Sequence, residues 1–211
     1  MYEQIDLWSC EKSHDPQFWK TIPLIDGEIV FYPEFFTSEE SDRFYLELDR
    51  DTQWKQDSIK IFGRSILLPR LTAWYGDSGK SYTYSGIAMH PTPWTKTLLE
   101  IKSRIEEVAG IQFNSVLLNK YRTGKDSVAW HSDDEVELGL NPIIGSVSFG
   151  GTRRFVLKHK ERKEVEKISI DLTHGSFLLM RGNTQDSWQH QIPKTAKAVE
   201  SRINLTFRVI I

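Results

Sequence analysis

From Ile111 to Ile211, apolar residues recur at every second position in short segments parted by glycine, proline, asparagine and aspartate. Alternation of period two is what a strand with one covered face requires, so the second half of the chain is expected to fold as consecutive antiparallel strands. Ahead of it the period changes. Thr37 and Glu40 stand at capping-box spacing before an amphipathic run and predict a helix from about Ser38 to Arg50. Thr92 as cap, Pro93 at the first helical position, and Trp94, Leu98, Ile101, Ile105 and Val108 at steps of four and three predict a second helix, ended by Gly110. Two helices followed by many strands give an α+β fold, with the helices buttressing an antiparallel double sheet of the jelly-roll (double-stranded β-helix) kind.

A chain of 211 residues is read as one structural domain with an extension. Residues 1–28 lack a period and are expected to drape over the body, residues 29–110 hold the helices and two candidate hairpins, and residues 111–211 form the core. Seven Trp, seven Tyr and eleven Phe exclude a disordered chain. The single cysteine, Cys10, excludes an internal disulfide framework. Neither a basic-then-apolar leader nor an apolar run of membrane length is visible, and the expectation is a soluble intracellular monomer of cytoplasm or nucleus, with no membrane partner. Net charge is −2, yet Gly151 to Lys167 carries seven basic residues (Arg153, Arg154, Lys158, Lys160, Arg162, Lys163, Lys167) against three acidic ones. That stretch is either a solvated hairpin or a surface for a polyanion.

Two further stretches admit two readings each. Trp54 to Leu68, broken by Gly63, is expected to form a hairpin with its tip near Phe62, a residue that either folds back into the core or stands out as a wedge of the type that unstacks bases. Tyr82 and Tyr84 share a face at strand spacing, which gives ordinary β-packing or, beside a cavity, a stacking surface for a planar base.

Chemistry concentrates at Trp130-His131-Ser132-Asp133-Asp134-Glu135. In extended chain His131 and Asp133 point the same way, so both can meet one ion, and a histidine from a distant strand would complete two imidazoles and one carboxylate. Such a set, with open positions opposite, suits oxygen-activating non-haem iron. His190 is preferred over His14, His90, His159 and His174 because an arginine-bearing strand follows it. In that strand Arg202, Asn204, Thr206 and Arg208 share one face, and Ile203, Leu205, Phe207 and Val209 the other. An exposed amphipathic edge strand explains the pattern, and so does a pair of guanidinium groups gripping the two ends of a small dicarboxylic acid.

Together these pieces resemble the AlkB family of Fe(II)- and 2-oxoglutarate-dependent dioxygenases, nearest its DNA- and RNA-repairing animal members. The likeness runs in order through Pro69-Arg70, Tyr75-Gly76-Asp77, Tyr82-Thr83-Tyr84-Ser85-Gly86, Asn119-x-Tyr121, His131-x-Asp133-Asp134-Glu135, Ser146-Val147-Ser148-Phe149-Gly150, His174-Gly175-Ser176 and Arg202-Ile203-Asn204-Leu205-Thr206-Phe207-Arg208. It covers roughly Phe31 to Ile211. The resemblance implies iron held by His131, Asp133 and His190. It implies 2-oxoglutarate with Arg208 near its metal end and Arg202 at its distal carboxylate, assisted by Asn119 and Tyr121, with Asn204 and Thr206 on the same row. It implies a flipped base of alkylated DNA or RNA against Tyr82, Tyr84 and Ser85, with Asp134 and Glu135 at its edge and Phe62 and Arg70 as further contacts. The reaction implied is oxidative demethylation of bases such as 1-methyladenine and 3-methylcytosine with O2, releasing formaldehyde, succinate and carbon dioxide. The same oxygenase chemistry on a modified tRNA base, a protein or a small metabolite is the alternative. A zinc hydrolase would use the same three ligands but leave Arg202 and Arg208 without a task.

Overall fold

The computed structural model describes residues 19–61, 64–79, 82–84, 87–89 and 91–211. Helix α1 (Ser38–Asp51) starts at the expected capping box: Thr37 Oγ1 accepts from the Glu40 N–H at 3.2 Å, and Glu40 Oε2 accepts from the Thr37 N–H at 2.9 Å. Helix α2 (Lys96–Ala109) begins later than the spacing predicts. Its cap is Thr95, whose Oγ1 accepts from the Leu98 N–H, and not Thr92. The cause is tertiary. Thr92 is taken up by the sheet, its N–H donating to Trp74 O and its carbonyl accepting from the Gly76 N–H, each at 3.0 Å. Pro93 and Trp94 therefore lead up to the helix, with Trp94 stacked on Phe207. Gly110 ends it at φ 71°, the left-handed conformation that glycine adopts without strain.

The larger sheet has the order β1 (Lys20–Leu24), β2 (Gly27–Tyr32), β13 (Ser176–Arg181), β10 (Ile144–Gly150), β15 (Arg202–Arg208), β8 (Ser115–Tyr121) and β5 (Leu71–Gly76). The smaller has the order β12 (Ile168–Leu172), β11 (Arg153–His159), β14 (Trp188–Ile192) and β9 (Val128–His131). Every pairing in both is antiparallel. β3 (Ser58–Ile61) with β4 (Arg64–Leu67), and β6 (Tyr82–Tyr84) with β7 (Ile87–Met89), form the two hairpins. The tip at Phe62 and Gly63, Ser85, and the side chains of Tyr82 and Tyr84 lie outside the described residues, as do His14 and His90.

Alternation along each central strand splits its residues between two cores. Ile203, Leu205 and Phe207 of β15 pack with Phe44 and Leu48 of α1 and Leu98, Ile101 and Ile105 of α2. A second core lies between the sheets, where Ile144, Leu178 and Met180 meet Phe155, Leu157, Ile170, Leu172 and Trp188. The result is a helix layer on one face of the larger sheet and the smaller sheet on the other, as the two-faced strands require.

Three readings of the sequence are corrected here. Lys20–Leu24 is an edge strand of the larger sheet rather than part of a draped extension; only Ile22 and Leu24 meet the core, too little for a pattern. β15 lies between β10 and β8, so the arginine row does not belong to an exposed edge. The basic stretch is not uniformly on the surface, because Arg153 is buried. Among the described residues, no helix is long and apolar enough to cross a membrane.

Candidate metal centre

β9 and β14 pair so that His131 and His190 are direct partners across the smaller sheet, with ring centroids 4.3 Å apart. Asp133 follows β9 in a tight turn. Ser132 turns away and donates its hydroxyl to Trp188 O at 2.9 Å, while the Asp133 N–H donates to Gln185 Oε1 at 2.9 Å. These bonds fix the turn, and ligand atoms of His131, Asp133 and His190 come within 4.8 Å of one another. His131 Nδ1 sits 2.8 Å from Ala129 O, so Nδ1 donates to that carbonyl and Nε2 is the ring nitrogen left to face a ligand. His190 packs against Phe155.

Protonation matches metal binding. Burial pushes His190 down to about 3, helped by His131 and opposed by Asp133, so its imidazole is neutral. Burial alone would raise the Asp133 carboxyl, but Arg208, then His190 and His131, outweigh it and hold it at about 2. A neutral His190 imidazole and an ionised Asp133 carboxylate are ready to take a divalent cation without losing protons. Arg208 Nη2 donates to Asp133 Oδ1 and so orients the carboxylate.

Along the same face of β15, away from the metal ligands, Arg202 is 1 % exposed. Its Nη2 donates to Ser148 Oγ at 2.9 Å, and its Nε and Nη1 have no acceptor among the described residues. Burial lowers this guanidinium to about 10, against the pull of the Tyr121 phenol, whose ring centroid is 5.1 Å away. A buried cation with two idle donors costs free energy unless an acceptor arrives, and a carboxylate matches that fork. The residues therefore fit an iron with a dicarboxylate beside it.

The remaining expected residues divide. Asn204 donates to Ser146 Oγ and Val147 O and accepts from Thr206 Oγ1, so its amide is engaged within the protein. Asn119 Oδ1 accepts from Arg70 Nε at 2.7 Å, so Arg70 is engaged with a residue expected to line the cosubstrate. Asp134 pairs with Lys160 at 3.0 Å. Glu135 Oε2 is buried without a partner among the described residues. Sequence reasoning missed Gln185, fully buried in the one-turn helix α3 (Thr184–Ser187), where no period can develop. It also missed the inward turn of Arg153.

The model of the 2OG-Fe(II) oxygenase superfamily matches residues 28–208. The chain is 48 % identical over 192 residues to the Bos taurus alpha-ketoglutarate-dependent dioxygenase alkB homolog 3, covering 87 % of this chain and 66 % of that protein. It is 37 % identical over 202 residues to the Homo sapiens DNA oxidative demethylase ALKBH2, covering 92 % of this chain and 77 % of that one. The chain thus spans about two thirds of the length of the alkB homolog 3 relatives it matches. In fold it resembles the solved structure of OsALKBH1, with a TM-score of 0.63 at 16 % identity, covering 90 % of this chain and all of that one. With the superfamily model spanning most of the sequence and the ALKBH2 likeness most of both chains, this protein belongs to the 2OG-Fe(II) oxygenase superfamily and, within it, to the AlkB family.

Proposed function

We propose that this chain is an oxidative demethylase of N-alkylated bases, such as 1-methyladenine and 3-methylcytosine, in DNA or RNA, acting as a monomer inside the cell. The observation that carries the reading is the convergence of His131, Asp133 and His190 beside a buried Arg202 whose Nε and Nη1 have no acceptor among the described residues. His131, Asp133 and His190 hold Fe(II). 2-Oxoglutarate lies with its distal carboxylate on Arg202, with Asn119, Tyr121, Asn204 and Thr206 lining that end and Arg208 near the other. Bound iron with this cosubstrate and O2 supplies hydroxylation of the N-methyl group, releasing succinate and carbon dioxide. The hydroxymethyl product on the base then falls apart to formaldehyde and the restored base, so no separate general base is needed for that bond. The protein's part is to put the methyl carbon in reach and keep other oxidisable groups out.

Residues 29–110 supply the recognition hairpins and residues 111–211 the reaction site. Tyr82, Tyr84 and Ser85 take the flipped base, and Phe62 probes the strand it leaves. A methylated Watson–Crick nitrogen weakens pairing and lowers the few kcal/mol that flipping costs. 1-Methyladenine and 3-methylcytosine are cations, which a carboxylate prefers to their neutral parents. Glu135, with an oxygen that has no partner among the described residues, is better suited to that attraction than Asp134, whose charge Lys160 offsets. Arg70 acts through Asn119.

The test is release of formaldehyde or succinate from methylated single- and double-stranded oligonucleotides with Fe(II), ascorbate and 2-oxoglutarate. Turnover is expected on at least one of them, and its absence from every alkylated strand would remove the reading. Phe62→Ala should lose activity on duplex alone.

A further inference from the structure

Arg153 opens β11 inside the most basic stretch of the sequence, yet it is 2 % exposed and turned into the space between the sheets. Its donors meet backbone carbonyls from two loops. Nη1 reaches Thr123 O at 3.3 Å, and Nη2 reaches Asp126 O at 2.9 Å and Pro193 O at 2.7 Å. Carbonyls satisfy the donors but do not cancel the charge. The Asp126 carboxylate is bound by Arg122, at 2.8 Å and 3.0 Å, and offsets the Arg153 charge only in part. The Arg153 guanidinium carbon lies 5.4 Å from the Tyr121 ring centroid, and that of Arg202 lies 5.1 Å from the same centroid. Two buried guanidinium groups thus flank one phenol, and among the described residues neither hydrogen-bonds to a carboxylate.

We propose that Arg153 is a positioning and selectivity residue for the cosubstrate. It clamps the two loops around Tyr121 and adds a second buried positive charge, only partly offset by Asp126, at the closed end of the pocket, so that this end accepts a carboxylate and rejects an apolar terminus. The inference rests on the reading of Arg202 as the seat of the distal carboxylate. Electrostatics agree with the geometry. Arg202 is lowered first by its burial, and Arg153 is among the charges that lower it further, a mutual repulsion that an incoming dianion relieves. At the effective dielectric of a protein interior, one added unit charge near a ligand carboxylate is worth a factor of about ten or more in affinity.

The test needs no turnover. Protein loaded with Ni(II), which holds the ligand set but does not react, is titrated with 2-oxoglutarate and with 2-oxopentanoate, which lacks the distal carboxylate, and binding is read as the ligand-dependent rise in melting temperature. Arg153→Met is expected to weaken 2-oxoglutarate by about tenfold or more while 2-oxopentanoate changes by less than about threefold, and Arg153→Lys is expected to keep most of the preference. Equal losses for both ligands, or a lysine variant no better than the methionine one, would overturn the proposal by making Arg153 a purely structural clamp. Should Arg153→Met not fold, Arg153→Gln, which keeps a donor without the charge, takes its place with the same two outcomes. A wild type without preference for 2-oxoglutarate sinks the Arg202 reading itself, whereas a preference that survives in Arg153→Met sinks only the role of Arg153.

Discussion

Asp133 reaches the two histidines from a turn held at its backbone by Gln185 and at its carboxylate by Arg208. Its neighbour His190 is held neutral by burial, and this has a consequence for the metal-free protein that the sign of the shift fixes. In the unfolded chain His190 takes a proton below pH 6.5, but in the folded chain its pKa is pushed down to about 3. The unfolded state therefore binds more protons in that window, and stability falls as pH drops through it, by up to about 1.4 kcal/mol per pH unit. Above pH 6.5 the group is neutral in both states and contributes no slope. Asp133 acts in the same direction lower down, between its ordinary 3.8 and about 2. The urea midpoint of chelator-treated protein is expected to fall from pH 6.5 downward, and His190→Asn, neutral at every pH, should flatten most of that fall. A slope untouched by the substitution would assign it to other groups.

At the scale of elements, the start of α2 shows what sequence can and cannot carry. Thr92 and Thr95 are both acceptable caps by local spacing, and the choice is made by Trp74 and Gly76, which draw the Thr92 backbone into β5. Thr95→Ala removes the side-chain N-cap of the helix and should cost about 1 kcal/mol, read from the urea midpoint. Thr92→Ala keeps both backbone bonds and should cost clearly less; the reverse order would restore the sequence-based start. The same logic covers the rest of the fold. The alternation of β15 and the periodic stripe of α2 were legible because each face meets one environment. β1 was not, because a five-residue edge strand with only Ile22 and Leu24 against the core is too short to show a period. The three candidate ligands were legible as a spacing plus a distant histidine. The supports of the site were not, since Gln185, Ser148 and Arg153 are recruited by tertiary contacts that leave no local period.

On the whole molecule, pairing redistributes the charge that the sequence displays as one basic stretch. Arg153 is interior, Arg154 pairs with Asp171, Lys160 with Asp134 and Arg162 with Asp26, each pair at 3.0 Å. Lys158, Lys163 and Lys167 remain without a carboxylate partner among the described residues. Lys158 and Lys167 bring their ammonium groups to 4.5 Å and 5.8 Å from the Trp130 ring centroid. Trp130 precedes His131 on β9, so strand alternation puts it on the opposite face of the smaller sheet from the candidate metal ligand. β9 is the edge strand of the smaller sheet, so on the proposed function a nucleic-acid strand passing round that edge from the metal centre would bring its phosphates to these cations, each contact releasing counterions on binding. For a methylated single-stranded oligonucleotide, the slope of log affinity against log salt should shrink by roughly 0.7 for each phosphate contact removed, hence by roughly 1.4 in a Lys158→Ser, Lys167→Ser variant. Binding of 2-oxoglutarate should not change, because neither lysine faces the space between the sheets. A slope identical to that of the wild type would mean that these lysines only solvate the sheet, and would shift the balance toward a protein or small-metabolite substrate for the same oxygenase chemistry.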